Sequence, residues 1–374
     1  MIFFSIIAIL IATINCYLNI TPNDLAGTEN LKLELTDKQL AIQKHLSWLT
    51  ILQPNNNPPA DNSTKFSWHG WDSNYNNNQT DMTSVRYPLA FIGYALAALV
   101  YKTPAYTELA VAILDNVIQR LLEKHQYEYI ELYWSHISTF PDPVAYENIM
   151  YSGHLAMLIS LYESISGDYK YTTKGWYFTW PGQKSIHYDA NKLMGAIQSQ
   201  IVSDHTGGVC CEPESIFITC NNHPRIAFSL YDSIHGTNYS STHGKWERWV
   251  REHARAPIDD LRYFRIIYYR PAHAFIPFYG TTGNDAWTLS FMSWFGDKEF
   301  LVEGYEKLTR NVRWRGVGDE QEYLYAGVFG RMSELNTWLA TSMYPIVAHR
   351  IKMGWCWWII FFLGVIYAEI FKFV

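Results

Sequence analysis

Between residues 148 and 162 the chain reads NIMYSGHLAMLISLY, apolar on nearly every side of a helix. A surface helix carries one apolar stripe, whereas a helix apolar all round has to be surrounded by other elements. This segment therefore suits the inner layer of a larger assembly. The candidates to surround it are plentiful. Residues 84–100, 104–123, 146–166, 188–202, 225–234, 243–254, 285–295, 298–312 and 332–347 lack strand alternation and are broken by Pro, Gly or Asp. An earlier helix is expected over 36–51, capped by Thr36 and carrying Leu40, Ile42, Leu46 and Leu49 at helical spacing. About a dozen helices joined by short polar loops predict helical hairpins, and closing them into a two-layer ring would bury inner helices on all sides. The expected class is all-α, and no sequence-level repeat accompanies it.

The functional reading centres on GGVCCEPESIFITCNN, residues 207–222, which holds Cys210, Cys211 and Cys220 of the five cysteines. Gly207 and Gly208 allow a turn, and Pro213 suits the first position of a helix. Read so, Cys211 sits before a helix N-terminus, where the dipole lowers a thiol pKa. A continuous helix over 213–220 would put the alpha carbons of Cys211 and Cys220 roughly 13 Å apart. A disulfide needs about 7 Å or less. A shared site then requires the segment to bend or unwind. A structural disulfide and a chemical thiol pair stand about equal on composition.

Composition narrows the function. Hydrophobic residues are 48% and charged residues 17%, so the chain is globular. A net charge of −6 without a basic block disfavours nucleic acid. The 15 Trp and 27 Tyr can line an apolar pocket or simply fill a core. No phosphate-binding Gly-rich loop is present, and His243 and His253 are spaced too widely for a compact metal motif. No cofactor is expected.

The ends speak to location. Residues 1–16 read as a secretory signal peptide, with a retained anchor as the other reading. Sequons follow at Asn19, Asn62, Asn78 and Asn238. Residues 355–371, WCWWIIFFLGVIYAEIF, form a marginal membrane segment, a packed hydrophobic helix or the tail of a lipid-anchor signal. The expectation is a secretory, membrane-associated protein. The long Asn- and Pro-rich segment 53–80 carries Trp68, His69, Trp71 and Tyr75 and is long enough to fold over a site.

Two motifs in this order, NIMYSGH at 148–154 and CCEPESIFITC at 210–220, resemble the linalool dehydratase/isomerase family, with weaker support from TDMTSVRYPL at 80–89. The likeness runs over most of residues 36–350. It implies an (α/α)6 barrel and cofactor-free hydration, dehydration and isomerisation of a terpene alcohol or alkene. By motif it implies roles for Cys211, Cys220, Met150, His154, Asp81 and Tyr87. A tyrosine from the last third also reaches the family pocket, and Tyr279 is the candidate, although no motif fixes it. Asn78 lies three residues before Asp81, where a glycan would crowd a pocket mouth.

The residue types make chemical sense. Removing a tertiary hydroxyl needs a proton donor to the leaving oxygen and a base for a neighbouring C–H. Charge building between them needs excluded water and nearby π or negative density. Met150 and His154 share one helix face, and His154 is a proton carrier at physiological pH. Taken alone, His154 reads as a core histidine, Asp81 as a turn or cap and Tyr87 as packing. Glu212 reads as a solvated first-turn carboxylate, and Glu163 and Asp232 as helix-face charges. Two other functions compete. A carbohydrate-active enzyme on a helical toroid needs facing carboxylates, for which Glu212 and Glu214 are the close pair. A membrane-tethered, non-enzymatic binder would use the aromatic cavity with its cysteines oxidised. The expected partner is a small apolar allylic alcohol or alkene. The sequence leaves a homo-oligomer open.

Overall fold

The computed structural model describes residues 52–54, 66–68, 86–102, 104–138, 141–183, 185–257, 262–276, 282–310, 312–316 and 322–326. It is helix-rich, with 64% of these residues helical. In chain order the elements are β1 (Leu52–Pro54), β2 (Phe66–Trp68), α1 (Arg86–Lys102), α2 (Thr107–Leu121), α3 (Lys124–Tyr127), α4 (Ile130–Trp134) and α5 (Ile149–Ser166). There follow α6 (Lys170–Thr173), β3 (Trp176–Phe178), β4 (Ile186–Tyr188), α7 (Ala190–Ser203), β5 (Ser215–Phe217), α8 (His223–His235) and α9 (His243–His253). The last described are β6 (Ile267–Tyr269), β7 (Ala274–Phe275), α10 (Thr282–Met292), α11 (Lys298–Arg310), β8 (Val312–Gly316) and β9 (Glu322–Ala326). Short 3-10 turns cover Pro104–Tyr106, Cys220–Asn222, Tyr239–Thr242 and Arg270–Ala272.

The small sheets depart from a purely α chain. They are the antiparallel pairs β1–β2, β3–β4 and β8–β9 and the three-stranded order β5–β6–β7. The expected helices at 36–51 and 332–347, the two apolar ends, and the sequons at Asn19, Asn62 and Asn78 lie outside the described residues. The fourth sequon, Asn238, is exposed in the loop after α8. Among the described residues no helix is long and apolar enough to cross a membrane.

Helix α5 is the inner element that its composition demands. It packs against α8, α2, α1 and α7. Ile149, Leu155, Leu158 and Ile159 are fully buried on different sides of it. Each such side chain removed from water contributes about 1.5–3 kcal/mol. The helix begins three residues later than the periodicity predicts, because Glu147 and Asn148 both adopt left-handed backbone, with φ of 55° and 57°. Non-glycine residues rarely do so, and surrounding bonds have to hold them there. The Asn148 amide donates to the Pro143 carbonyl at 3.0 Å and accepts from the Tyr129 hydroxyl at 2.5 Å. Glu147 accepts from Trp134 Nε1 at 2.8 Å and pairs with Arg270 at 2.7 Å.

Helix α2 shows the opposite pattern, an amphipathic stripe of Ala110, Ile113, Leu114, Val117, Ile118 and Leu121 facing the core. Asp189 caps α7 by accepting from the Lys192 amide at 2.8 Å. Glu163 is not a helix-face charge: it is 1% exposed, pairs with His235 at 2.7 Å and accepts from the Thr172 hydroxyl at 2.7 Å. Asp232 caps the turn after α8, accepting from the amides of Tyr239 and Ser240 and the hydroxyl of Thr237.

Candidate active site

The cysteine segment is a hairpin, where a helix was expected from Pro213. The Cys211 amide donates to the Ser215 carbonyl at 2.8 Å, and the Ser215 amide returns to Glu212 at 2.9 Å. Pro213 therefore sits in a tight turn, with Glu214 in left-handed backbone. β5 then pairs with β6, Ile216 opposite Tyr268. The Asn221 side chain fastens the hairpin by accepting from the Val209 amide at 2.7 Å and donating to the Val209 and Phe217 carbonyls at 2.9 Å. The chain has doubled back, so the two thiols meet where a helix would have separated them.

Cys211 Sγ and Cys220 Sγ are 3.1 Å apart, both are buried, and both are free thiols. A disulfide bond is about 2.05 Å long. Cys210 faces elsewhere, toward Glu147 and Arg270. The hairpin also holds the first motif in place, since the Ile149 amide at the head of α5 donates to the Cys210 carbonyl at 3.1 Å.

Tyr87, Met150 and His154 join this pair. The Tyr87 hydroxyl donates to Met150 Sδ, so Tyr87 does more than pack. The Tyr87 and His154 rings stand edge to face at 5.8 Å. The Tyr94 hydroxyl and His154 Nδ1 are 2.6 Å apart. A hydroxyl donated to Nδ1 leaves the ring proton on Nε2. Beyond His154, at 4.2 Å between rings, lies His223. Its tautomer follows from its partners. Trp287 Nε1 only donates, at 3.1 Å, so His223 Nε2 accepts and Nδ1 carries the proton toward the Cys220 carbonyl at 3.2 Å. Phe91, Trp287 and Phe291 close the aromatic wall. Asp81 and Tyr279 lie outside the described residues.

Burial sets the charges. It pushes the Cys211 thiol well above its ordinary pKa, and the hydrogen bond to Cys220 pushes the same way. The lowered thiol pKa expected at a helix N-terminus is corrected: no helix starts there, and the surroundings are apolar. His154 is driven well below its usual value by burial, then by His223 and Arg86. It is a neutral imidazole at neutral pH, not the protonated carrier that its type alone suggests. Burial also lowers His223 to about 3. Tyr87 is raised by burial.

Glu212 is half-buried, and burial raises it to about 7, against the pull of Arg86. The solvated carboxylate expected from sequence is thus a group that titrates near neutrality beside Cys211. Glu214 is tied to Arg270 at 2.7 Å and does not face Glu212 as a glycosidase partner would. Tyr94 and His223 are the members that sequence reasoning missed, and Glu212 is the one whose burial it did not anticipate. Tyr94 and His223 look like ordinary apolar-helix and helix-start residues until α1 and α8 are laid against α5.

Two cavities open away from this cluster. One, of about 280 Å³, runs beside Asn148 and is lined by Trp134, Pro141, Asp142 and Tyr146. The other, of about 1050 Å³, lies over Trp249, His253, Tyr268 and Phe275. A sequence-family model described as linalool dehydratase/isomerase matches the chain over residues 86–349. The span contains both cysteine and histidine motifs; Asp81 precedes it.

Proposed function

The chain belongs to the linalool dehydratase/isomerase family, and from that membership we propose that it is a cofactor-free hydro-lyase and isomerase of an allylic, terpene-like alcohol. The observation that carries this reading is the free thiol pair Cys211–Cys220, buried at 3.1 Å and linked through Tyr87 to a neutral His154. In the dehydration direction a neutral acid donates a proton to the leaving hydroxyl, the C–O bond breaks and water leaves. A base then takes a proton from the adjacent carbon and the alkene forms. At neutral pH the Cys211 thiol and the Tyr87 hydroxyl are protonated and supply the acid. The Glu212 carboxylate supplies the base, and neutral His154, its Nδ1 occupied by the Tyr94 hydroxyl, presents its Nε2–H to the substrate oxygen. Met150 and the rings of Phe91 and Trp287 shelter the allylic charge while water is excluded. Asp81 and Tyr279 complete the substrate contacts in this reading, and the helices complete an (α/α)6 ring that encloses an apolar chamber.

The test is a panel of terpene alcohols incubated with the purified chain, with products separated and identified. Dehydrated and isomerised products are expected. Loss of a positioned acid or base costs about a hundredfold to ten-thousandfold in rate. Cys211→Ala and His154→Ala should each lose that much while Cys210→Ala loses far less, and a chelator should have no effect. Wild-type turnover in both site variants, or inactivation by the chelator, overturns the assignment.

A further inference from the structure

Arg86, the first residue of α1, is 1% exposed. Its guanidinium lies over the Tyr129 ring at 4.4 Å and over the Tyr87 ring at 5.1 Å. Among the described residues neither Nε, Nη1 nor Nη2 has a hydrogen-bond partner. Other arginines of this protein behave differently. Arg225, as deeply buried, donates to the carbonyls of Asn221 and Gly207. Arg120 reaches Glu123 at 2.7 Å, and Arg270 gathers Glu147 and Glu214. A guanidinium cannot shed its proton to escape burial, so a buried one with all nitrogens idle is unfavourable.

Arg86 also sits among the reacting groups. Its charge acts on Cys211, Tyr87, Glu212 and His154. That placement has a chemical consequence. Loss of water from an allylic alcohol builds positive charge on the substrate, and a fixed cation beside it opposes the step. A negative group on the substrate removes the conflict and satisfies the idle donors together. Rings over the guanidinium leave its N–H edge free, the edge that holds a carboxylate or phosphate in two parallel bonds.

We propose that Arg86 forms an oxyanion subsite and that the alcohol taken here carries a carboxylate or a phosphate ester as well as its allylic, apolar part. This rests on the dehydratase reading of the same site for the alcohol, while the anion subsite rests on Arg86. The partner chemistry is an oxyanion; its two sources are separated by the probes below.

Calorimetric titration of the full-length chain at neutral pH with geraniol, geranic acid and geranyl monophosphate tests the subsite on one carbon skeleton. At least one anion should bind roughly tenfold or more tighter than the alcohol, as a charge-assisted bidentate contact implies. The tighter of the two anions identifies the source. Arg86→Gln should bring the anions and the alcohol to similar affinity, and Arg86→Lys should keep part of the preference. The ligand-free Arg86→Gln chain should melt at the wild-type temperature or above, because an idle buried charge has been removed. Equal affinities for all three probes in the wild type, a preference that survives Arg86→Gln, or a variant that melts lower or fails to fold each overturns the proposal. Turnover of neutral alcohols without any anion preference would sink the subsite and leave the dehydratase reading standing. Arg86-dependent anion binding by a chain inert toward every alcohol would do the reverse.

Discussion

At the residue scale Cys211, Tyr87 and His154 are buried and uncharged at neutral pH, with the Arg86 cation among them. The thiols are predicted to stay reduced in active protein. Labelling under non-reducing, denaturing conditions should modify both Cys211 and Cys220, and an oxidised pair in active protein would remove the thiol acid. The histidines make a second prediction, about stability. His223 has a folded pKa of about 3, below its ordinary 6.5, so between those values the unfolded chain binds the extra proton and stability falls as pH falls. Glu212 and Asp285 are both raised to about 7, so between their ordinary values and 7 the folded chain binds more protons and stability rises as pH falls. The opposing signs flatten the wild-type curve. His223→Asn removes one histidine from the balance. Relative to wild type it should gain about 1.4 kcal/mol for each pH unit of acidification between pH 6 and 4. Denaturant titrations across that range measure it, and parallel curves would show that His223 is not buried neutral.

At the element scale the decisive feature is the hairpin that carries the cysteines. Gly208, just ahead of the cysteines, is pinched between Ile216 of β5 and Trp246 of α9. A Cβ at Gly208 would come within 2.8 Å of Ile216 Cγ2 and 2.8 Å of Trp246 Cζ3. A β-branched side chain and a buried ring have little room to yield. Gly208→Ala is therefore expected to destabilise the fold by about 1–3 kcal/mol, as overpacking does. Turnover should fall as well, because the segment carrying Cys211 has to shift. A melting temperature equal to wild type would mean the pinch relaxes without cost. The helix α5 contributes the other half of the site. Its left-handed entry at Glu147 and Asn148 sets the start of the helix that carries Met150 and His154, and the bond from Ile149 to the Cys210 carbonyl couples the two motifs.

At the scale of the whole molecule, residues 1–16 and 355–371 flank the family span of 86–349. We propose that the chain enters the secretory pathway and is held at a membrane by the C-terminal run. Truncation before Gly354 should release protein into the medium. Retention of the truncated protein in the membrane fraction would point to the N-terminal run instead. What the sequence determined by itself was the helical character and the inner place of α5, because an all-round apolar surface admits no other environment. The two motifs were legible as well, since residue types and spacing survive in the chain whatever its conformation. The conformation between Pro213 and Cys220 was not legible. Proline begins turns as readily as helices, and only the pairing of β5 with β6 decides for a hairpin. The protonation states were equally hidden. Cys211, His154 and Glu212 depart from their ordinary values because other elements bury them, and burial belongs to the packed molecule, not to the order of its residues. The same is true of Arg86, whose idle guanidinium exists only once α1 has been folded in beside Tyr129.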